Sequence, residues 1–117
     1  MKYMLLFYVA DDGMQGLSPE ELQGVQRQWG VFLNDVKGAP GASTDGLAPV
    51  TTATTVRVRN GKTLTTDGPF AETHEHLGGY LLVDCKDLDE AIRWAEKGPH
   101  ARYGSVEIRP MWNATAG

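Results

Sequence analysis

The stretch that decides the fold is TATTVRVRNGKTLTTDG, residues 52 to 68. Asn60-Gly61 separates two arms rich in β-branched residues, and this dipeptide is typical of the type I′ turn in a β-hairpin. A two-residue loop also fixes the pairing beside the turn. The expected pairs are Arg59 with Lys62, Val58 with Thr63, and Arg57 with Leu64. The stretch therefore predicts a hairpin in the middle of the chain, around which the other elements are arranged.

Three longer strands and one short strand are predicted outside the hairpin. Residues 2–9 (KYMLLFYV) and 80–85 (YLLVDC) are apolar on both alternating sets, which is typical of strands buried on both faces. Residues 105–112 (SVEIRPMW) alternate, with Val106 and Ile108 expected to point inward. Residues 39–49 (APGASTDGLAP) are predicted as a loop that leads into the short strand.

Two helices are predicted, each with its own start and stop signals. Residues 18–38 begin with Ser18 as N-cap and Glu21 completing a capping box, and residues 87–98 begin with Asp87 and Glu90 in the same roles. Gly38 and Gly98 end them. The predicted core faces are Leu22, Val25, Trp29, Phe32, Leu33 and Val36 on the first helix, and Leu88, Ala91, Ile92 and Ala95 on the second.

The order of strand, helix, strand, hairpin, strand, helix and strand predicts an α+β fold, the ferredoxin-like split βαβ with an inserted β-hairpin. Two helices on one face of the sheet leave its other face bare, although the strands carry apolar residues there too. A second copy of the sheet covers such a face most simply. We therefore expect one domain, residues 1–117 with a strand end and tail at 109–117, assembled as a dimeric α/β barrel.

Composition limits the classes of function. The chain has 117 residues, a net charge of −4 and a pI near 5.2, and an acidic surface argues against nucleic-acid binding. No apolar run is long enough to cross a bilayer, and the N-terminus lacks a signal-peptide cleavage site, so no membrane partner is expected. The single cysteine, Cys85, suits the reducing cytoplasm. No cofactor is expected.

The candidate site is DGPFAETHEHLGG, residues 67–79. Asp67, Glu72 and His74 are the candidate catalytic residues, since two close carboxylates, or a carboxylate and a histidine, supply an acid and a base. The alternative is structural, with Asp67 closing a turn and Glu72 binding loop amides or an arginine. His74 and His76 form an H-x-H pair that could bind a metal together with Asp67 or Glu72, but no metal is expected because a further spaced histidine or cysteine is absent.

Other residues are candidates for ligand binding. They are Gly68, Pro69 and Phe70 of the same stretch, together with Arg57 and Tyr80. Arg57, Arg59 and Lys62 share one face of the hairpin and could hold an anion, or form a solvated hairpin tip. Gly78-Gly79 would let a ligand approach the backbone closely.

Four segments resemble, in order and spacing, the YCII-related family, and most closely its DGPF-motif branch. They are KYMLLFYVADD, TTATTVRVRNGKTLTTDGPFAET, LGGYLLVDCKDLDEAIRWAEKGP and GSVEIRP, within residues 2–110. The most specific part is Asp67-Gly68-Pro69-Phe70 with Glu72 and Gly78-Gly79. The resemblance implies a dimeric α+β barrel, no settled common activity, and relatives that include lyases, isomerases and dehalogenating enzymes. Genes of the branch often neighbour those of extracytoplasmic-function sigma factors.

Two departures from the family pattern limit what the resemblance implies. Many members carry a first-helix histidine paired with an aspartate, whereas the helix at residues 18–38 has no histidine. The branch usually has Lys and Gln where this chain has His74 and His76. The leading hypothesis is a small-molecule-binding homodimer in a regulatory or metabolic setting. The alternatives are a cofactor-independent lyase or isomerase, with Asp67 as base assisted by His74 or Glu72, and an interaction module without a ligand.

Overall fold

The computed structural model describes residues 1–10 and 16–112. Six strands are found: β1 Lys2–Ala10, β2 Ser43–Gly46, β3 Thr54–Arg59, β4 Lys62–Asp67, β5 Glu75–Asp84 and β6 Gly104–Pro110. The helices are α1 Pro19–Lys37, α2 Leu88–Lys97 and α3 His100–Tyr103, with a short 3-10 helix at Val50–Thr52. β2, β5, β1 and β6 form one antiparallel sheet in that order, and β3 pairs with β4 in a separate hairpin. This topology is the predicted α+β, ferredoxin-like arrangement.

The hairpin has the register that the Asn60-Gly61 turn predicted. Its three pairs nearest the turn are Arg59 with Lys62, Val58 with Thr63, and Arg57 with Leu64. Asn60 and Gly61 both have positive φ, 52° and 76°, as a type I′ turn requires. The two strands are exposed along almost their whole length. The hairpin is therefore determined by its local sequence and gains little stabilisation from packing against the core of the chain.

The core lies between the helices and one face of the sheet. Its central strands contribute Tyr3, Leu5, Phe7, Leu81 and Val83, and the helices contribute Phe32, Val36, Ala91 and Ala95. Capping positions α1, since Glu21 N–H donates to Ser18 Oγ and Ser18 N–H donates to Glu21 Oε1, both at 3.1 Å. Asp87 caps α2 in the same way, accepting from Glu90 N–H at 2.9 Å.

The other face of the sheet lies opposite these buried residues. Its apolar side chains are half-buried rather than buried: Met4, Leu6, Tyr8, Tyr80 and Leu82. Alternation along β1 and β5 explains this, because successive side chains point to opposite faces. We call these five residues the open sheet face. No helix within residues 1–10 and 16–112 is long and apolar enough to cross a membrane.

Several predicted boundaries were wrong. β5 begins at Glu75 rather than near residue 80, because its first residues pair with Val9 and Ala10 at the end of β1. β2 lies inside the segment predicted as a loop, and β6 ends at Pro110. The short helix α3 was not predicted. Residues 113–117 of the predicted tail lie outside the described residues.

The predicted helix faces were only partly correct. Val25, Phe32 and Val36 of α1 and Ala91 and Ala95 of α2 are buried. Four predicted core residues are instead exposed: Trp29, Leu33, Leu88 and Ile92. The buried face of each helix is therefore narrower than its apolar stripe.

Candidate functional site

The predicted site residues at positions 67–72 lie at the base of the hairpin, on the surface. Asp67 ends β4, and Glu72 and Phe70 are exposed, the latter by 78%. Gly68 has a φ of 97°, donates its N–H to the Ala53 carbonyl at 2.6 Å, and accepts from Thr55 Oγ1 at 2.8 Å. These bonds agree with turn chemistry at this position. None of residues 67 to 72 lines the three cavities described below, so their ligand-binding and catalytic roles stay predictions.

Of Asp67, Glu72 and His74, only His74 lines one of these three cavities. A wide cleft of about 500 Å³ is lined by Tyr8, Thr73, His74, Glu75, Glu107 and Arg109. We call it the sheet-face cleft, because Tyr8 belongs to the open sheet face. The Tyr8 hydroxyl donates to Glu107 Oε1 at 3.2 Å, and Arg109 Nη2 donates to both oxygens of Glu107. Burial, and next the Glu107 carboxylate, raise the pKa of Tyr8.

The other candidates do not line this cleft. His76 lies within β5 opposite Val9, with its Nδ1 3.4 Å from Thr73 Oγ1. Among residues 1–10 and 16–112, no three or more His, Cys, Asp or Glu side chains come together as a metal site would require. Tyr80 lies on the open sheet face, and Arg57 is exposed on the hairpin. Of the predicted catalytic and ligand-binding residues, His74 lines the sheet-face cleft and the others do not.

A second kind of cavity lies on the helix side of the sheet, between β1, α1 and α3. It measures about 120 Å³, and its walls include Phe7, Val25, Trp29, His100 and Tyr103. We call it the aromatic cavity. A neighbouring cavity of about 300 Å³, the outer cavity, shares the walls Phe7, Val9, Trp29 and His100. Asp45, Gly78 and Gly79 also line the outer cavity.

His100 is the only buried polar or charged residue that the described part of the chain contains, with 8% exposure. Its ring stacks on Phe7 with centroids 3.6 Å apart, and meets Trp29 edge to face at 3.9 Å. Neither ring nitrogen has a hydrogen-bond partner within the described residues. Burial lowers the pKa of His100 to about 4, so the imidazole is neutral at physiological pH.

The His100 ring fits only because a glycine lies beside it. A Cβ built on Gly98 would lie 2.6 Å from His100 Nδ1 and 3.1 Å from a ring carbon of Phe32. Gly98 also ends α2, and Pro99 precedes the short helix that carries His100. The same glycine therefore ends one helix and makes room for the buried imidazole.

Comparison with known proteins gives the chain a family. The model of the YCII-related domain matches residues 1–115. The chain belongs to the YCII-related domain family. This YCII-related domain is 37% identical over 114 residues to Uncharacterized protein R00369 of Rhizobium meliloti (strain 1021), covering 95% of this chain and 92% of that protein.

A solved structure also resembles this YCII-related domain. It is 5-chloro-2-hydroxyhydroquinone dehydrochlorinase (TftG) from Burkholderia phenoliruptrix AC1100, in complex with 2,5-dihydroxybenzoquinone. The likeness has a TM-score of 0.47 at 11% identity, and covers 99% of this chain and 98% of that chain. At this level of likeness we draw no conclusion about chemistry from it.

Sequence reasoning missed His100 and misplaced Trp29. The signal in the sequence was the position of His100, which directly follows Gly98-Pro99 at the end of the predicted second helix. Trp29 was expected in the core or an interface, yet it is 38% exposed and lines both helix-side cavities. Gly78 and Gly79, predicted to permit close backbone approach, line the outer cavity. A Cβ on Gly79 would lie 2.8 Å from the Asp45 carbonyl oxygen, so the close approach there is to strand β2.

Proposed function

We propose that this YCII-related domain is a small-molecule-binding homodimer that works in a regulatory or metabolic setting. The observation that carries the proposal is the aromatic cavity, an apolar space whose wall includes a buried imidazole without a partner. Ligand pockets are mostly apolar and contain few, well-placed polar groups. A buried polar group that lacks a partner is uncommon in a folded protein and calls for an explanation. A ligand that pairs with it is such an explanation.

The proposal moves the ligand from the base of the hairpin to the helix side of the sheet. Residues 67–72 and Arg57 were predicted near the ligand, but they line neither helix-side cavity.

The dimer is proposed through the open sheet face. Its five side chains are half-buried in the single chain. Contiguous apolar surface of this kind marks an interaction site. Two sheets packed face to face would bury it and give the dimeric α/β barrel. Sedimentation of a stable monomer at micromolar concentration would overturn this part of the proposal.

A thermal-shift screen against a metabolite library tests the binding function. A ligand present at 100 times its Kd, and selective for the native state, stabilises by about 2.7 kcal/mol and raises the unfolding midpoint measurably. We expect at least one hit, and we expect the hit to be lost when Val25→Phe fills the aromatic cavity. A ligand that still raises the unfolding midpoint of Val25→Phe would bind outside the aromatic cavity.

An enzyme is the second candidate, a cofactor-independent lyase or isomerase that uses Asp67, Glu72 and His74. The observation in its favour is the sheet-face cleft, where His74 lies with Tyr8 and Glu107, two further groups able to exchange protons. His74→Gln and Asp67→Asn should abolish turnover of any substrate found, with the unfolding midpoint unchanged. If Asp67→Asn lowers stability and leaves turnover intact, Asp67 is a turn residue.

A cytoplasmic location is proposed from the cysteine. Cys85 is free and buried, and burial, followed by the charge of Glu90, raises its thiol pKa. A protonated, buried thiol is inert and packs as a small apolar side chain. The free thiol of Cys85 is stable in a reducing compartment.

A further inference from the structure

The aromatic cavity restricts the chemistry of what it can hold. We propose that its ligand is a neutral single-ring molecule with one O–H or N–H donor, and that His100 accepts the hydrogen bond from this donor. The inference rests on the proposed binding function and names the ligand class for the same site. Three features of the cavity carry it: its size, the absence of charge from its walls, and the unpartnered imidazole.

Size limits the ligand to about one ring. The aromatic cavity measures about 120 Å³. A cavity of roughly 150 Å³ lined by apolar side chains stays dry and binds benzene. Trp29 and Phe7 supply flat surfaces on the walls, and offset or edge-to-face packing on such surfaces favours an aromatic ring over a branched aliphatic group.

The lack of charged residues in the walls disfavours ionic ligands. Among residues 1–10 and 16–112, those that line the aromatic cavity include no aspartate, glutamate, lysine or arginine. An ion placed there would lose its hydration without gaining a counter-charge, which is among the most costly steps in binding. Asp45 lines the outer cavity and not the aromatic cavity. A neutral ligand avoids this cost.

His100 selects for a hydrogen-bond donor. A neutral imidazole has one N–H donor and one acceptor nitrogen, and both nitrogens of His100 are shielded from water and unpartnered. The ring forms part of the walls of both helix-side cavities. A half-turn about its Cβ–Cγ bond exchanges each nitrogen with a carbon and leaves the ring outline nearly unchanged. The proposal requires this flipped orientation, because in the observed orientation both nitrogens are inaccessible.

Three probes of similar size separate these requirements in the full-length protein. Toluene has the ring alone, phenol has the ring and a donor, and benzoate has the ring and a negative charge. Calorimetric titration should show binding of phenol and toluene, with benzoate at least tenfold weaker than phenol. The affinity ratio of phenol to toluene should fall about fivefold in His100→Phe, since one neutral hydrogen bond contributes about that factor. His100→Phe keeps an aromatic ring, and its circular dichroism verifies folding.

A second variant keeps the test valid if His100→Phe fails to fold. Val25→Phe should weaken phenol and toluene alike, by more than tenfold, because it fills the space. An unchanged phenol-to-toluene ratio in His100→Phe would overturn the role of His100, and benzoate binding as tight as phenol would overturn the neutral class. If no probe binds while the metabolite screen finds a ligand, this inference fails and the proposed function stands. If the screen also finds nothing, both fail.

Discussion

The imidazole of His100 lies flat against the ring of Phe7, with centroids 3.6 Å apart and planes inclined by 19°. Phe7 is a central residue of β1, and His100 begins α3. The contact therefore joins the middle of the sheet to the last helix. It also places a titratable ring where water cannot reach its nitrogens.

Stability should fall in mild acid because of this contact. Burial lowers the pKa of His100 from 6.5 to about 4, so the folded state holds the neutral form while the unfolded state binds a proton below pH 6.5. The free energy of unfolding is therefore highest above pH 6.5. It falls by about 3 kcal/mol in total as the pH decreases from 6.5 to 4. Urea unfolding across this range measures the loss.

His100→Phe is the matched control for the pH dependence. The variant keeps the aromatic stack on Phe7 but cannot bind a proton. Its unfolding free energy should change less than that of the wild type between pH 6.5 and 4. Identical pH profiles for the two proteins would mean that His100 is already free to ionise in the folded state.

Gly98→Ala should destabilise the protein by about 1–3 kcal/mol, the usual cost of an overpacked core. The new methyl group would lie 2.6 Å from His100 Nδ1 and 3.1 Å from Phe32. Gly30→Ala is the control, because nothing lies within 4 Å of its Cβ and Gly30 is inside α1. The control should gain about 0.5–1 kcal/mol. Equal effects of the two substitutions in chemical denaturation would show that the Gly98 contact is relaxed.

Leu6→Lys should dissociate the proposed dimer. Leu6 is half-buried on the open sheet face, and a lysine there would place a charge without a partner between the two sheets. We expect the dissociation constant to rise roughly 10- to 100-fold in analytical ultracentrifugation. Val31→Lys adds the same charge at an exposed position of α1 (63% exposed) and should leave assembly unchanged. A dimer unaffected by Leu6→Lys would exclude this face as the interface.

Gly61→Ala should loosen the hairpin alone. Gly61 has a φ of 76°, and a side chain in that region costs about 1 kcal/mol or more. Amide hydrogen exchange should become about fivefold faster in β3 and β4 and stay unchanged in β1, which serves as the internal reference. Lys62→Ala, beside the turn, keeps the glycine and should not change these rates. Faster exchange across both sheets would show that the hairpin is coupled to the core.

The sequence predicted the hairpin and the helix starts because these depend on a few neighbouring residues. Asn60-Gly61 determines its turn, and Ser18 and Asp87 cap their helices, without reference to distant parts of the chain. The start of β5 was missed because Glu75 joins the sheet through pairing with Ala10, which no local pattern records. His100 was missed for the same reason. Its isolation from water comes from Phe7, Trp29 and Phe32, residues far from it in sequence.

The strand order has a consequence for synthesis of the protein on the ribosome. β1 is made before both of its neighbours and occupies the middle of the sheet, between β5 and β6. Its second neighbour begins only at Gly104, which a ribosome adding about 5–20 residues per second reaches roughly 5–19 s later. Through that interval a nine-residue apolar strand has an unpaired edge. We therefore expect the nascent chain to bind chaperones that hold extended apolar segments.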